Sequence, residues 1–199
     1  MAILEVVGFD PSLRNWGIAT GEYCLDNARL QITGLAVTKP VLPKGKQVRQ
    51  NSKDLDASFQ LAEGALSAAQ GADAIFVEVP VGSQSSRAMA SYGMCNGILG
   101  ALRAFGIPFF EVTPTEVKLI SVGDKKATKQ EMISWATSKH PEAPWPTKKV
   151  KGGVSIVEGT AEHMADAVAA IYAGLATSEF KQAAQLMGRI SNARKNPCK

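Results

Sequence analysis

Apolar and polar positions along the chain alternate in a way that changes period several times. Ile3 to Phe9 is a short β-branched and apolar run, and Trp16 to Tyr23 and Leu30 to Val37 follow it with turn-forming residues between them. This pattern predicts three early strands in an antiparallel meander. Lys39 to Asn51, with two prolines, a glycine and several basic residues, reads as a loop. Asp54 to Ala69 then carries apolar residues at Leu55, Phe59, Ala62 and Leu66, the 3 to 4 residue spacing of an amphipathic helix.

The second half continues as strand and helix in turn. "ADAIFVEVP" (Ala72 to Pro80) reads as a strand stopped by a carboxylate and a proline, and Ser85 to Phe105 as a long helix whose small residues permit close packing. "GIPFFEVTP" is the next strand. "TPTE" (Thr113 to Glu116) and "TKQE" (Thr128 to Glu131) both have the form of a capping box opening a helix. His140 to Gly159 holds three prolines, two adjacent glycines and three lysines, and reads as a long mobile loop. Ala161 to Ala176 is the last strong helix, with Ala165, Val168, Ala169 and Tyr172 at helical spacing. The order predicts an α/β fold: a mixed sheet with helices on both faces.

Composition narrows the class. At 199 residues the chain is most simply one domain with a modest tail, here residues 1–180 followed by a basic segment 181–199. No apolar run approaches the roughly 20 residues that span a bilayer, and the N-terminus reads as a strand and not as an export signal. Cys24, Cys95 and Cys198 lie far apart without metal-ligand spacing, which fits a reducing cytoplasm and neither a disulfide framework nor a zinc site. The net charge of +4 leans towards a polyanionic partner, and its distribution says more: basic residues gather in "DKKATK", "TKKVK" and "RISNARKNPCK".

Three acidic features then converge. Asp10 ends the first predicted strand, Glu78 ends the fourth, and "EHMAD" (Glu162 to Asp166) opens the last helix. His163 and Asp166 are three residues apart, hence on one helical face, but so are Glu162 and Asp166, and spacing leaves open which of Glu162 and His163 joins Asp166. Each residue taken singly has an ordinary reading: Asp10 before Pro-Ser as a turn former, His163 as a group that caps or satisfies the helix N-terminus, and Asp166 as a charge the helix dipole favours there. Glu78 is harder to explain that way, because a lone carboxylate buried in an apolar strand is costly unless paired or metal-bound. Together they make an oxygen-rich site with one nitrogen ligand, suited to Mg²⁺ or Mn²⁺ more than to zinc.

On these residues the chain resembles the RuvC-type Holliday junction resolvases of the RNase H-like nuclease superfamily. "GFDPSLRNWGIA" is similar to their first-strand motif, with Gly17 as its later glycine, and "IFVEVP" to the strand carrying their second acid. "TPTEVKLISVGDKKATKQEM" resembles their segment with two lysines, which fall on Lys118 and Lys129; "EHMADAVAAIYA" resembles their closing helix, placing its two ligands on His163 and Asp166. The resemblance runs in order from about residue 3 to 177.

It implies an RNase H-like core, a five-stranded mixed sheet flanked by helices, acting as a homodimer on opposing strands of a four-way DNA junction. Two Mg²⁺ ions per active site, with Mn²⁺ as a substitute, would be held by Asp10, Glu78, His163 and Asp166, with Glu162 as the alternative ligand and Asp10 bridging. They would hydrolyse a phosphodiester to 5′-phosphate and 3′-hydroxyl ends. Lys118 and Lys129, and secondarily Lys125 and Lys126, would neutralise backbone phosphates. Two departures stand out: Val81 occupies a place where many relatives carry an aromatic residue, and Pro141 to Gly159 reads as an insertion, pointing to a divergent, phage-type or organellar branch. The competing readings are an RNase H-like nuclease acting on other branched DNA or RNA-DNA hybrid, and a non-catalytic nucleic-acid-binding domain.

Overall fold

The computed structural model describes residues 2–43, 45 and 48–195. Outside the described residues lie Cys198 with the rest of 196–199, and Lys44, Lys46 and Gln47 of the predicted loop. Seven strands and six helices follow in the order β1 (Ile3–Asp10), β2 (Trp16–Cys24), β3 (Arg29–Thr38), α1 (Gln50–Ala69), β4 (Ala74–Glu78), α2 (Ser86–Ala104), β5 (Phe110–Val112), α3 (Pro114–Ser121), α4 (Lys129–Lys139), β6 (Thr147–Val150), β7 (Gly153–Ile156), α5 (Glu158–Ala176) and α6 (Ser178–Lys195). Five strands form one sheet in the order β3-β2-β1-β4-β5; the first three are antiparallel, as their patterning predicts, and β4 and β5 add in parallel. Among the described residues, no helix is long and apolar enough to cross a membrane.

Side-chain alternation splits the core into two layers. Val7 and Phe9 of β1 and Ile75 and Val77 of β4 point to the layer made with Leu61 and Ala65 of α1 and Ile98, Leu99 and Leu102 of α2. Their neighbours Leu4, Val6, Ala74 and Phe76 point the other way, onto Ala167, Val168 and Ile171 of α5 and Phe180 of α6. The period of two along a strand therefore decides which helix each residue meets.

α5 is the central helix. It is buried on nearly every side, against the sheet, α3 and α4, and its alanines leave little side-chain bulk to hold those neighbours off. The sheet reciprocates with glycine. A Cβ on Gly8 would be driven into the Ala167 carbonyl oxygen, one on Gly17 into the His163 carbonyl, and one on Gly174 of α5 into the Phe76 ring. Backbone thus meets backbone where the helix crosses β1 and β2.

Several predicted elements change on inspection of the structure. In α1 the buried face is Asp54, Ala57, Leu61, Ala65 and Ala69, while Leu55 and Phe59 are 71% and 62% exposed. Three alanines and Leu61 make up the apolar part of the inward face, and Asp54 is admitted by a two-pronged ion pair with Arg87 of α2, both bonds 2.9 Å. The predicted strand at 106–114 shortens to Phe110–Val112, since Gly106 and Pro108 precede it and Pro114 opens α3. The expected mobile loop 140–159 holds the antiparallel ribbon β6–β7, turned through Lys151 and Gly152 with Gly152 at a φ of +97°. That conformation costs glycine little, which is why Gly152 can turn the chain here, while Gly153 already begins β7. The basic segment 181–199 continues α6 through Lys195.

Gly8→Ala is expected to lower stability by about 1–3 kcal/mol, the usual cost of forcing extra volume into a packed core. Urea unfolding measures it directly; an unchanged midpoint would show that α5 can lift off the sheet freely.

Candidate active site

The register between β1 and β4 runs Val6 with Ala74 through Phe9 with Val77, so the next step places Asp10 beside Glu78. Parity puts both on the α5 face, with Leu4, Val6 and Gly8 on β1 and Ala74 and Phe76 on β4. Asp10 pairs across the sheet with Gly17, and Gly17 lies under the backbone of His163. The first turns of α5 are in this way lowered onto the two strand ends.

The result is a pocket of about 300 Å³ whose walls include Asp10, Glu78, Glu162, His163 and Asp166. His163 Nδ1 donates to Asp10 Oδ2 at 2.8 Å. Among the described residues no three donors are drawn together tightly enough to cage a metal ion, so the acids ring the pocket. Their chemistry nevertheless fits a hard divalent cation: oxygen donors, one imidazole, and carboxylates that outnumber the single imidazole among them.

The electrostatics express that strain. Burial pushes the Glu78 carboxyl up to about 8, the charges of Asp10 and Asp166 add to it, and Lys118 opposes. Burial likewise raises Asp166, with Asp10 and Glu162 adding and His163 and Lys118 opposing. Asp10 is raised by burial against the lowering effect of its His163 hydrogen bond, and that same bond raises His163. Removing carboxylates from water disfavours their charged form, and crowding them does so again.

The lysines divide into two groups. Lys118, on the short helix α3 set by the Thr113–Glu116 capping box, is near enough for its charge to act on Glu78 and Asp166. Lys129 is the first residue of α4, after the Thr128–Glu131 box, and its Nζ lies 2.7 Å from Glu162 Oε1. That ion pair engages Glu162 at the pocket rim. Lys125 and Lys126 stand on the exposed turn between the two helices and do not line the pocket.

Two features were not foreseen from sequence. Tyr92 of α2 lines the pocket together with Val81, so an aromatic side chain stands near the acids although none follows Glu78 directly. Its only advance signal is a helical position seven residues beyond Ser85. Cys95, buried one turn further on with its thiol pushed up to about 12 by burial and by Asp10, is an inert core residue. A larger cavity, about 790 Å³, opens at the opposite end of α5 around Arg29, His140 and Tyr172, and holds none of the acids.

No protein-family model matches the chain. The crossover junction endodeoxyribonuclease RuvC of Anaeromyxobacter dehalogenans (strain 2CP-C) is 31% identical over 133 residues, 66% of this chain and 66% of that protein. RuvC of Anaeromyxobacter sp. (strain K) is 30% identical over the same share of each. The aligned stretch thus spans about two-thirds of these relatives' length. Thermus thermophilus RuvC superposes with a TM-score of 0.58 at 20% identity, over 86% of this chain and 92% of that one. T. thermophilus RuvC in complex with Holliday junction substrate superposes at 0.56 and 17%, over 85% and 93%. The fold is RNase H-like, and the chain belongs to the RuvC family.

The raised Glu78 carboxyl makes a prediction about stability. A carboxyl whose folded pKa exceeds its unfolded value contributes stability below that unfolded value, here 4.5, and loses it as pH rises through about 8. Glu78→Gln, which cannot ionise, should therefore melt higher than wild type in metal-free buffer, with a gap that widens from about pH 5 to about pH 9. A gap that stays constant over that range would remove burial of the charge as its cause.

Proposed function

We propose that this member of the RuvC family is a metal-dependent, structure-selective DNA endonuclease that resolves four-way junctions as a homodimer, by paired phosphodiester hydrolysis leaving 5′-phosphate and 3′-hydroxyl ends. The observation that carries the reading is the gathering of Asp10, Glu78, His163 and Asp166 from two strand ends and one helix into a single pocket, with all three carboxyls held above their ordinary range. Such crowding costs stability, and sites that keep it are commonly sites that use it. The activity named for the curated relatives, and the junction complex of the T. thermophilus protein, support the substrate class.

In this reading Asp10, Glu78, His163 and Asp166, which share the pocket, would hold Mg²⁺, or Mn²⁺ in its place, two ions to a site. Divalent cations bound there would polarise the scissile phosphate, activate a water and stabilise the departing 3′ oxygen. The chain's other groups position and exclude. Glu162, held 2.7 Å from Lys129, is drawn out of the donor set, which favours His163 as the ligand. Lys118 offsets charge on Glu78 and Asp166, and in this reading it would neutralise a phosphate near the cut. Lys129 stands at the rim with its side chain 77% exposed, and Lys125 and Lys126, on the exposed turn before it, would add weaker phosphate contacts. These contacts orient the strand without reading its sequence.

Asp10→Asn should lower Mg²⁺-dependent cleavage of a labelled four-way junction by more than about a hundredfold, beyond the loss typical of an outer-shell partner, while junction binding persists because lysines supply it. Parallel reactions on three-way, flap, linear duplex and RNA-DNA hybrid substrates distinguish resolution from broader nuclease action. Symmetric paired nicks confined to the four-way junction support the proposal; wild-type activity in Asp10→Asn would end it.

A further inference from the structure

The ribbon β6–β7 takes no part in either core layer. Among the described residues its strands pack extensively only on each other, and every residue from Thr147 to Val154 is exposed. It is anchored at its base: Ile156 packs against Ile133, Ala136, Ala161 and Ala165, and Val157 N–H donates to Pro146 O at 2.8 Å. Val157 is also the N-cap of α5. Six residues later on that helix comes His163, roughly 9 Å along the axis at the α-helical rise. The ribbon consequently springs from the same helix end that carries the pocket's His163 and Asp166.

Its charge is one-sided in sign and two-sided in space. Between Thr147 and Val157 there are three lysines and no carboxylate. Lys148 pairs across the ribbon with Ser155 and Lys149 with Val154, so these successive lysines stand on opposite faces, and Lys151 occupies the turn. Lys129 at the pocket is countered by Glu162, whereas none of these three lysines pairs with a carboxylate among the described residues. A two-stranded ribbon has the width to enter the major groove of a duplex, whose two walls are phosphate rows. Positive charge on both faces and the tip matches that shape better than it matches a single flat backbone.

We propose that β6–β7 is a second DNA contact: it lies in the groove of a duplex arm next to the cut site, with Lys148, Lys149 and Lys151 neutralising phosphates. This rests on the reading of the chain as a DNA endonuclease and adds where an arm of the substrate is held. The contact is electrostatic, so its signature is the salt dependence of binding.

The test uses the full chain and a fluorescent four-way junction in EDTA, where affinity is measured across a salt series for wild type, the Lys148→Ala/Lys149→Ala/Lys151→Ala variant and the corresponding triple Lys→Arg variant. Each lost phosphate contact should reduce the slope of log K against log salt by about 0.9, so the alanine variant should bind about tenfold or more weakly near physiological salt with a slope shallower by about 2–3. The arginine variant should keep the wild-type slope. An alanine variant with the wild-type slope overturns the ribbon contact while leaving the endonuclease reading in place. Wild type that binds no junction overturns the reading underneath and the ribbon contact with it.

Discussion

The rest of the molecule depends on how closely α5 lies on the sheet. Most helices sit on a sheet through a layer of branched side chains, but here β1 and β2 present Gly8 and Gly17 and the helix answers with alanines and Gly174. This approach brings the imidazole of His163 within 2.8 Å of Asp10 and leaves Asp166 among the acids at the strand ends. The same approach buries them, so the geometry that assembles the site also raises its carboxyls. Packing and electrostatics are one constraint here, because a helix standing further off would relieve both the crowding and the burial.

That arrangement sets burial against charge within one pocket. The core around it is well made, with Phe76, Phe110 and Phe180 in mutual contact on the α5 face and Trp16 against Phe9 on the other. Apolar burial of this kind holds in place acids that would otherwise separate. Capping boxes on α3 and α4 serve the same end more locally: each fixes where its helix begins, and so where Lys118 and Lys129 stand relative to the acids.

Much of this was legible in the chain. Period-two runs located the meander and β4, the capping boxes located α3 and α4, and the placing of Asp10, Glu78 and the Glu162 to Asp166 segment at element ends singled out the residues that share the pocket. The inward face of α1 was not legible, because periodicity finds a hydrophobic stripe and cannot know that Arg87, 33 residues further on, will admit Asp54 to the inner face and leave Leu55 and Phe59 outside. The competition between Glu162 and His163 was equally closed to spacing. Lys129 reaches Glu162 and Asp10 reaches His163, contacts between residues 33 and 153 positions apart. The ribbon was misread for a simpler reason: prolines and glycines mark where the chain turns, and only the strand pairing between them decides whether a loop or a hairpin results.

The hydrogen bond between Val157 and Pro146 has a consequence for how this chain can vary. It brings together the two ends of the ribbon, so the segment between them is topologically a side branch: residues 147–154 leave the body, and the chain returns to nearly the same point, where Ile156 packs at the base. A gap that narrow is spanned by one or two residues of extended chain. The ribbon can accordingly be lengthened, recharged or shortened in the course of descent without any strand of the five-stranded sheet losing its register. Innovation in this fold is cheapest at such a branch, where a new surface is added to old chemistry and the core is left as it was.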